Sequence, residues 1–408
     1  MYRTLLGLFG CCITESRDPS AVFGNFDYDH TARASVVPNR LLQKGIEMWI
    51  FDAHLDLALN GVDWNRDLRQ SVDDIRAQET TLGMTDPGRQ RNTLSLPELR
   101  CAKVAVCLTT LLARQEMEIS HSFGWTSPHT CYAMAHAHLA YYRALERDGL
   151  LRMLRTKQEL EQHWQGYIES PQTTPLGFIL TMEGADPVLV PETICEFHAV
   201  GLRALGLTHY GTNRYGGGTR SEVGLSITAV ELLKKCEELG IAIDMTHLSD
   251  VAFWQVAEIF GGRVHASHQN ARAICDWQRQ FSDDQIRWVI ERDGVLGVSM
   301  DVIMLQDGFV RGLSIPTATL ERAVDQMDHV RALSGGIVRH IGLGTDLDGG
   351  YGNEQTPSDL QRYRDIQALV EIMERRSYNR MEIEQIFHGN WLRFFGDVLS
   401  HPMSNNNT

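Results

Sequence analysis

Glu47-Met-Trp-Ile-Phe-Asp-Ala-His-Leu-Asp56 decides how this 408-residue chain is read. The apolar run from Met48 to Phe51 has the character of a buried strand, and it ends in His54-Leu55-Asp56, an imidazole and a carboxylate two residues apart. Alternate side chains of a strand share a face. His54 and Asp56 are therefore expected to project together from the strand's C-terminal end, where a neutral imidazole and a carboxylate oxygen can grip one divalent metal. Alone, His-x-Asp says little, because one residue can cap a turn while the other packs in the core. The same grammar recurs along the chain.

Outward from this strand, short apolar runs alternate with helical stretches. Strands are expected at 47–54, 102–110, 176–182, 201–207, 241–245, 263–266, 294–300 and 340–344. Helices are expected at 127–147, 157–164, 228–239, 250–260, 283–292, 317–334, 358–375 and 381–387. Eight strands in that alternation predict an α/β fold, a (β/α)8 TIM barrel. The barrel domain is placed at 46–398, after an N-terminal extension at 1–45 and before a polar tail at 399–408. A polar insertion from Asp63 to Glu98 reads as an excursion over the barrel mouth, and Tyr215-Gly-Gly-Gly-Thr219 as a flexible loop there.

Composition excludes several classes. A net charge of −14 argues against a nucleic-acid partner, which needs a basic face to displace counterions. The five lysines are scattered, so no polybasic membrane patch forms, and no apolar run approaches the roughly 18 residues of a membrane span. The eight cysteines contain no C-x-x-C pair, so neither a zinc ribbon nor a disulfide framework is expected. A cytoplasmic location is expected. The minority alternative is export as a lipoprotein through the short apolar stretch around Leu8-Phe9-Gly10-Cys11.

In such barrels the active site lies where strands end. The first strand ends in His54 and Asp56, the third in Glu183 and the fourth in His209. The fifth gives His247, the sixth His268 and the eighth Asp346. Four histidines and three carboxylates exceed what one zinc takes, which points to two metals. Glu183 is the natural bridge, with His54 and Asp56 completing one site and His247 and His268 the other. A water shared by two such cations has its pKa lowered from about 15.7 toward 7.

His54-Leu-Asp56, Met182-Glu-Gly184, Leu207-Thr-His209, Asp244-Met-Thr-His247, Ser267-His268, Gly344-Thr-Asp-Leu-Asp-Gly349 and Gly389-Asn-Trp-Leu-Arg393 together resemble the zinc-dependent membrane dipeptidase (renal dipeptidase) family, in a bacterial-type member. The resemblance runs from about Glu47 to Phe395. It implies a metal-binding (β/α)8 barrel of the metal-dependent hydrolase type that cleaves dipeptides with two zinc ions per chain, held by His54, Asp56, Glu183, His247 and His268. It implies that His209 contacts the scissile carbonyl oxygen and that Asp346 manages protons, with Glu183 completing the catalytic set. A free C-terminal carboxylate calls for a bidentate arginine. Arg279, shortly after His268, stands where the family places one; it joins His209 and Asp346 as a substrate-binding residue. The animal members' C-terminal anchor signal and disulfides have no counterpart here, and Asp301 stands where a larger pocket residue is expected, which would favour basic side chains or merely cap a helix.

The expected activity is therefore hydrolysis of the peptide bond of dipeptides by hydroxide bridging two zinc ions. One alternative is a binuclear amidohydrolase acting on N-acyl amino acids; many of these carry His-x-His and a carboxylated lysine, whereas none of the lysines here ends a strand. A second is an inactive barrel serving as a binding protein, which loss of a ligand would signal. A homodimer is left open.

Overall fold

The computed structural model describes residues 47–116 and 124–401. The extension expected at 1–45, its lipoprotein-like stretch and most of the polar tail lie outside the described residues. Nine strands occur among the described ones: β1 (Ile50–Leu55), β2 (Val104–Leu112), β3 (Leu151–Met153), β4 (Leu176–Glu183), β5 (Leu202–Gly206), β6 (Ala242–Asp244), β7 (Val264–His265), β8 (Leu296–Val298) and β9 (Ile341–Leu343). They run in the order β7-β6-β5-β4-β2-β1-β9-β8, all parallel, with β3 set aside against the start of β4. A parallel bridge between Ala266 and Leu296 joins the outer strands, and the Gly297 N–H donates to the Ala266 carbonyl at 2.8 Å. The eight-stranded barrel is thereby closed, as the alternation of strands and helices required.

β1, β2 and β4 are buried along their whole length, the continuous apolar character of parallel strands covered on both faces. Between them run helices whose starts are written in the sequence. Thr156 and Glu159 form a capping box at helix Lys157–Glu169, and Ser282 with Gln285 does the same at Asp283–Glu291. Gly240, at φ 68°, ends helix Ile227–Leu239 in the left-handed conformation that glycine adopts without strain.

Several boundaries differ from expectation. β3 is only three residues long, too short to show an alternation. The stretch expected as one helix at 358–375 is a 3-10 segment, Tyr363–Ala368, followed by helix Leu369–Arg375. The run from Gly389 opens helix Asn390–Val398, which plugs one end of the barrel: Trp391 and Phe395 pack on Phe51, and the Trp391 indole N–H donates to the Leu343 carbonyl at 2.9 Å. Phe51 lies near the start of β1, so the plug occupies the N-terminal mouth. The C-terminal mouth is left for chemistry.

The insertion after β1 is tied to that C-terminal mouth. The Asp348 carboxylate, just past β9, accepts the Thr93 N–H at 2.7 Å and the Leu94 N–H at 3.1 Å, and Asn60 donates to the Asp348 carbonyl at 2.9 Å. Within the insertion, buried Arg66 pairs with Glu79 at 2.8 Å.

Candidate active site

The fold gathers seven of the eight residues singled out at strand ends or just beyond them, and brings the eighth, Arg279, to the same place. Glu183 is the hub. Its Oε1 lies 3.2 Å from His247 Nε2, 3.4 Å from His268 Nε2 and 3.8 Å from His209 Nε2. Its Oε2 faces the other way, 3.5 Å from His54 Nε2. His54 Nε2 is in turn 3.7 Å from Asp56 Oδ1 and 3.8 Å from Asp346 Oδ1.

These spacings are informative because they are regular, 3.1–3.8 Å between donor atoms. Donor atoms bound tetrahedrally to one zinc at 2.0–2.1 Å stand about 3.3 Å from one another. The triangle of Glu183 Oε1, His247 Nε2 and His268 Nε2 has edges of 3.2, 3.4 and 3.1 Å. His54 Nε2 is buried and makes no hydrogen bond among the described residues, a polar atom that needs a partner. Three groups of donor atoms could each hold a metal ion: His54, Glu183 and His268; Glu183, His209 and His247; and His54, Asp56 and Asp346. The donor set of imidazole nitrogens and carboxylate oxygens suits zinc.

Electrostatics lead the same way. Burial pushes the Glu183 and Asp346 carboxyls above their usual range, and for Asp346 the neighbouring Asp301, Glu183 and Asp56 add to it against the opposing pull of His54. Burial disfavours a charged His54, but Glu183 and Asp56 outweigh it and hold that imidazole's pKa well above normal. Burial holds His247, His268 and His209 well below normal, helped most by Arg279, His54 and Arg114 respectively. A crowd of buried carboxylates facing neutral imidazoles is stabilised by added positive charge.

Each side chain is held from behind. Thr110 donates to Asp56, and Asp52 accepts the His54 N–H at 3.0 Å as well as the Thr345 N–H at 2.9 Å. Thr219 Oγ1 lies 2.9 Å from His247 Nδ1. The glycine-rich loop, expected as a flexible loop at the mouth, is buried from Tyr215 to Thr219, and the Thr219 N–H donates to the His209 carbonyl at 2.9 Å. Arg114 Nη1 reaches His209 Nδ1 at 3.4 Å and pairs with Glu116. Arginine has no acceptor, so His209 Nδ1 takes that bond with its lone pair and Nε2 carries the proton toward the centre.

Arg279 is buried beside the two histidines, donating to Gln269 Oε1 and, at 2.9 Å, to the His268 carbonyl. Its Nη2 is 3.5 Å from His247 Nε2. Asp301 does cap: its Oδ1 accepts the Ile303 N–H and the Gln355 amide, each at 2.9 Å, and burial raises its pKa to about 6. Sequence reasoning gave no role to Ser267, Thr219, Arg114 or Thr110, since a hydroxyl or an arginine near a strand end carries no ligand signal of its own.

A (β/α)8 barrel with histidines and carboxylates gathered at its C-terminal strand ends is the build of a metal-dependent hydrolase. The chain belongs to the membrane dipeptidase family, peptidase family M19, whose model matches residues 40–407. Its class is that of the dipeptidases, hydrolases of the peptide bond. It is similar to an uncharacterized protein in the pqqA 5′ region of Klebsiella pneumoniae, 27% identical over 210 residues that make up 50% of this chain and 74% of that one. Other curated relatives are spanned over 53% of their length or less. Two solved structures share the fold. One is a dipeptidase of family M19, with a TM-score of 0.68 at 22% identity, covering 88% of this chain and 99% of that one. The other is a metallo peptidase from Rhodobacter sphaeroides liganded with a phosphinate mimic of the dipeptide L-Ala-D-Ala, with a TM-score of 0.68 at 21% identity, covering 87% and 99%. Among the described residues no helix is long and apolar enough to cross a membrane.

Proposed function

We propose that this protein hydrolyses the peptide bond of dipeptides at a centre of two zinc ions bridged by Glu183. The observation that carries the reading is the opposed placement of the two Glu183 oxygens, one toward His247 and His268, the other toward His54. His54 and Asp56 would hold one ion, and His247 and His268 the other. When bound, the pair supplies Lewis acidity and a water acidic enough to react at neutral pH.

The remaining chemistry belongs to the chain. His209 and Asp346 have side chains 16% and 14% exposed, against 9% or less for the five proposed ligands. The more open pair is the pair assigned to substrate. His209 donates its Nε2 proton to the scissile carbonyl oxygen as negative charge develops there. Asp346 takes the proton from the attacking water and delivers it to the leaving amine, base first and then acid. Arg279 receives the C-terminal carboxylate. The dipeptide mimic bound by the Rhodobacter sphaeroides structure supports this substrate class.

The test is elemental analysis of purified protein beside turnover of a panel of L-L and L-D dipeptides and N-acetyl amino acids, with Asp346→Asn in parallel. The expected result is two zinc ions per chain, dipeptide turnover abolished by chelation, and a variant that keeps both metals while losing about 100-fold or more in kcat. Turnover confined to acylated amino acids would replace the substrate. Normal turnover by the variant would remove Asp346 from the mechanism.

A further inference from the structure

Each site histidine turns one ring nitrogen toward the carboxylates and presents Nδ1 to the protein behind it. For His54 and His268 that second nitrogen meets the same atom. Ser267 Oγ lies 2.9 Å from His268 Nδ1 and 3.3 Å from His54 Nδ1. The Nε2 atoms of these two rings face opposite oxygens of Glu183. We propose that Ser267 is a positioning residue whose single hydroxyl accepts both Nδ1–H groups and so ties the two halves of the metal centre together. The inference rests on the two-metal reading above.

The chemistry follows from valence. An imidazole that offers its Nε2 lone pair to a cation carries its proton on Nδ1, and that proton needs an acceptor. A hydroxyl oxygen has two lone pairs, enough for two such protons, and keeps one hydrogen of its own to donate. Asp244 is the neighbour placed to anchor this residue. Its carboxylate accepts the Ser267 N–H at 3.0 Å and the Thr246 N–H at 3.1 Å. Although burial raises its pKa, His265 and hydrogen bonds from Ser267 and Thr246 bring the net value below normal.

Ser267 is also pinned by its backbone. A Cβ at Gly297 would come within 1.9 Å of the Ser267 carbonyl oxygen, and one at Gly344 within 1.7 Å. Only bare backbone at both positions lets the Ser267 carbonyl lie this close to β8 and to the residue that follows β9. His247 has a hydroxyl of its own, that of Thr219. Thr219 touches one ligand of one half-site, Ser267 one ligand of each, and the pair forms an internal control.

The experiment is zinc titration of the metal-stripped full chain against a competing chromophoric chelator, for wild type, Ser267→Ala and Thr219→Ala, with far-UV circular dichroism of each metal-free form. Ser267→Ala is expected to weaken both binding steps by about 10- to 100-fold, and Thr219→Ala only one. Should Ser267→Ala not fold, Ser267→Cys, close in size and a weaker acceptor, carries the same expectation. Two steps of wild-type affinity in the Ser267 variant, or loss confined to one step, would overturn the proposal. A wild-type chain that binds fewer than two zinc ions would instead sink the two-metal reading on which it stands.

Discussion

Arg114 decides what His209 is able to do. With Arg114 donating to Nδ1, the inward Nε2 is an N–H suited to stabilising an oxyanion rather than to holding the metal that its place beside Glu183 and His247 would otherwise allow. Arg114→Met keeps the bulk and removes the donor, freeing the ring to turn a lone pair inward. A fall of about 100-fold in kcat, the usual cost of one oxyanion donor, with zinc content unchanged, is the expected result from steady-state kinetics and elemental analysis. Unaltered kcat would show that the tautomer is set by something else. At this scale the sequence was a selective guide. His54, Asp56, Glu183, His209, His247, His268 and Asp346 were legible because strand ends in a barrel converge, and a ligand-type residue at each end stands out. Ser267, Thr219 and Arg114 act through other side chains, and nothing in a hydroxyl or guanidinium at those positions distinguishes support from surface.

Elements deliver these residues by unusual backbone as well as by strand direction. His247 and Asp346 sit at φ 69° and 59°, a left-handed conformation that costs a non-glycine residue about 1–3 kcal/mol and clusters at functional sites. The turn holding Asp346 is braced by Asp348, itself at φ 58°, through the N–H groups of Thr93 and Leu94. The polar insertion thus works as a clamp on the β9 turn, a role its Arg/Asp/Gln composition only hinted at, because the clamp is made by contacts some 255 residues apart in sequence. Asp348→Asn turns an amide N–H toward those donors. A loss of about 1.5–3 kcal/mol in urea unfolding is expected, the worth of a hydrogen bond to a charged group, together with weaker catalysis as the turn loosens. Wild-type stability and activity in the variant would show that the insertion merely rests on the mouth. β3 and the short 3-10 segments escaped sequence reading for a different reason: three residues carry no measurable period.

On the scale of the whole molecule, the barrel spends its two ends differently. The N-terminal mouth is filled by Trp391, Phe394 and Phe395 on Phe51, which leaves its stability independent of ligands. The C-terminal mouth concentrates Asp56, Glu183 and Asp346 with Asp301 behind them; after burial itself, Asp56 helps raise the pKa of Glu183, and Asp301, Glu183 and Asp56 help raise that of Asp346. Such an end gains stability when cations occupy it. A ligand that binds only the folded state stabilises it by about 2.7 kcal/mol per site at 100 times its dissociation constant, so two sites give about 5 kcal/mol. For a chain of this size that corresponds to a rise of several degrees in Tm. Chelation is therefore expected to lower the thermal midpoint by that amount and zinc to restore it. Hydrogen exchange should show the loss of protection at the strand-end segments around His54, Glu183, His247, His268 and Asp346, with the amides of helix Asn390–Val398 unchanged. Equal loosening of both mouths on chelation would mean that the metal centre supports the entire barrel, and a midpoint indifferent to zinc would mean that these carboxylates are satisfied without it.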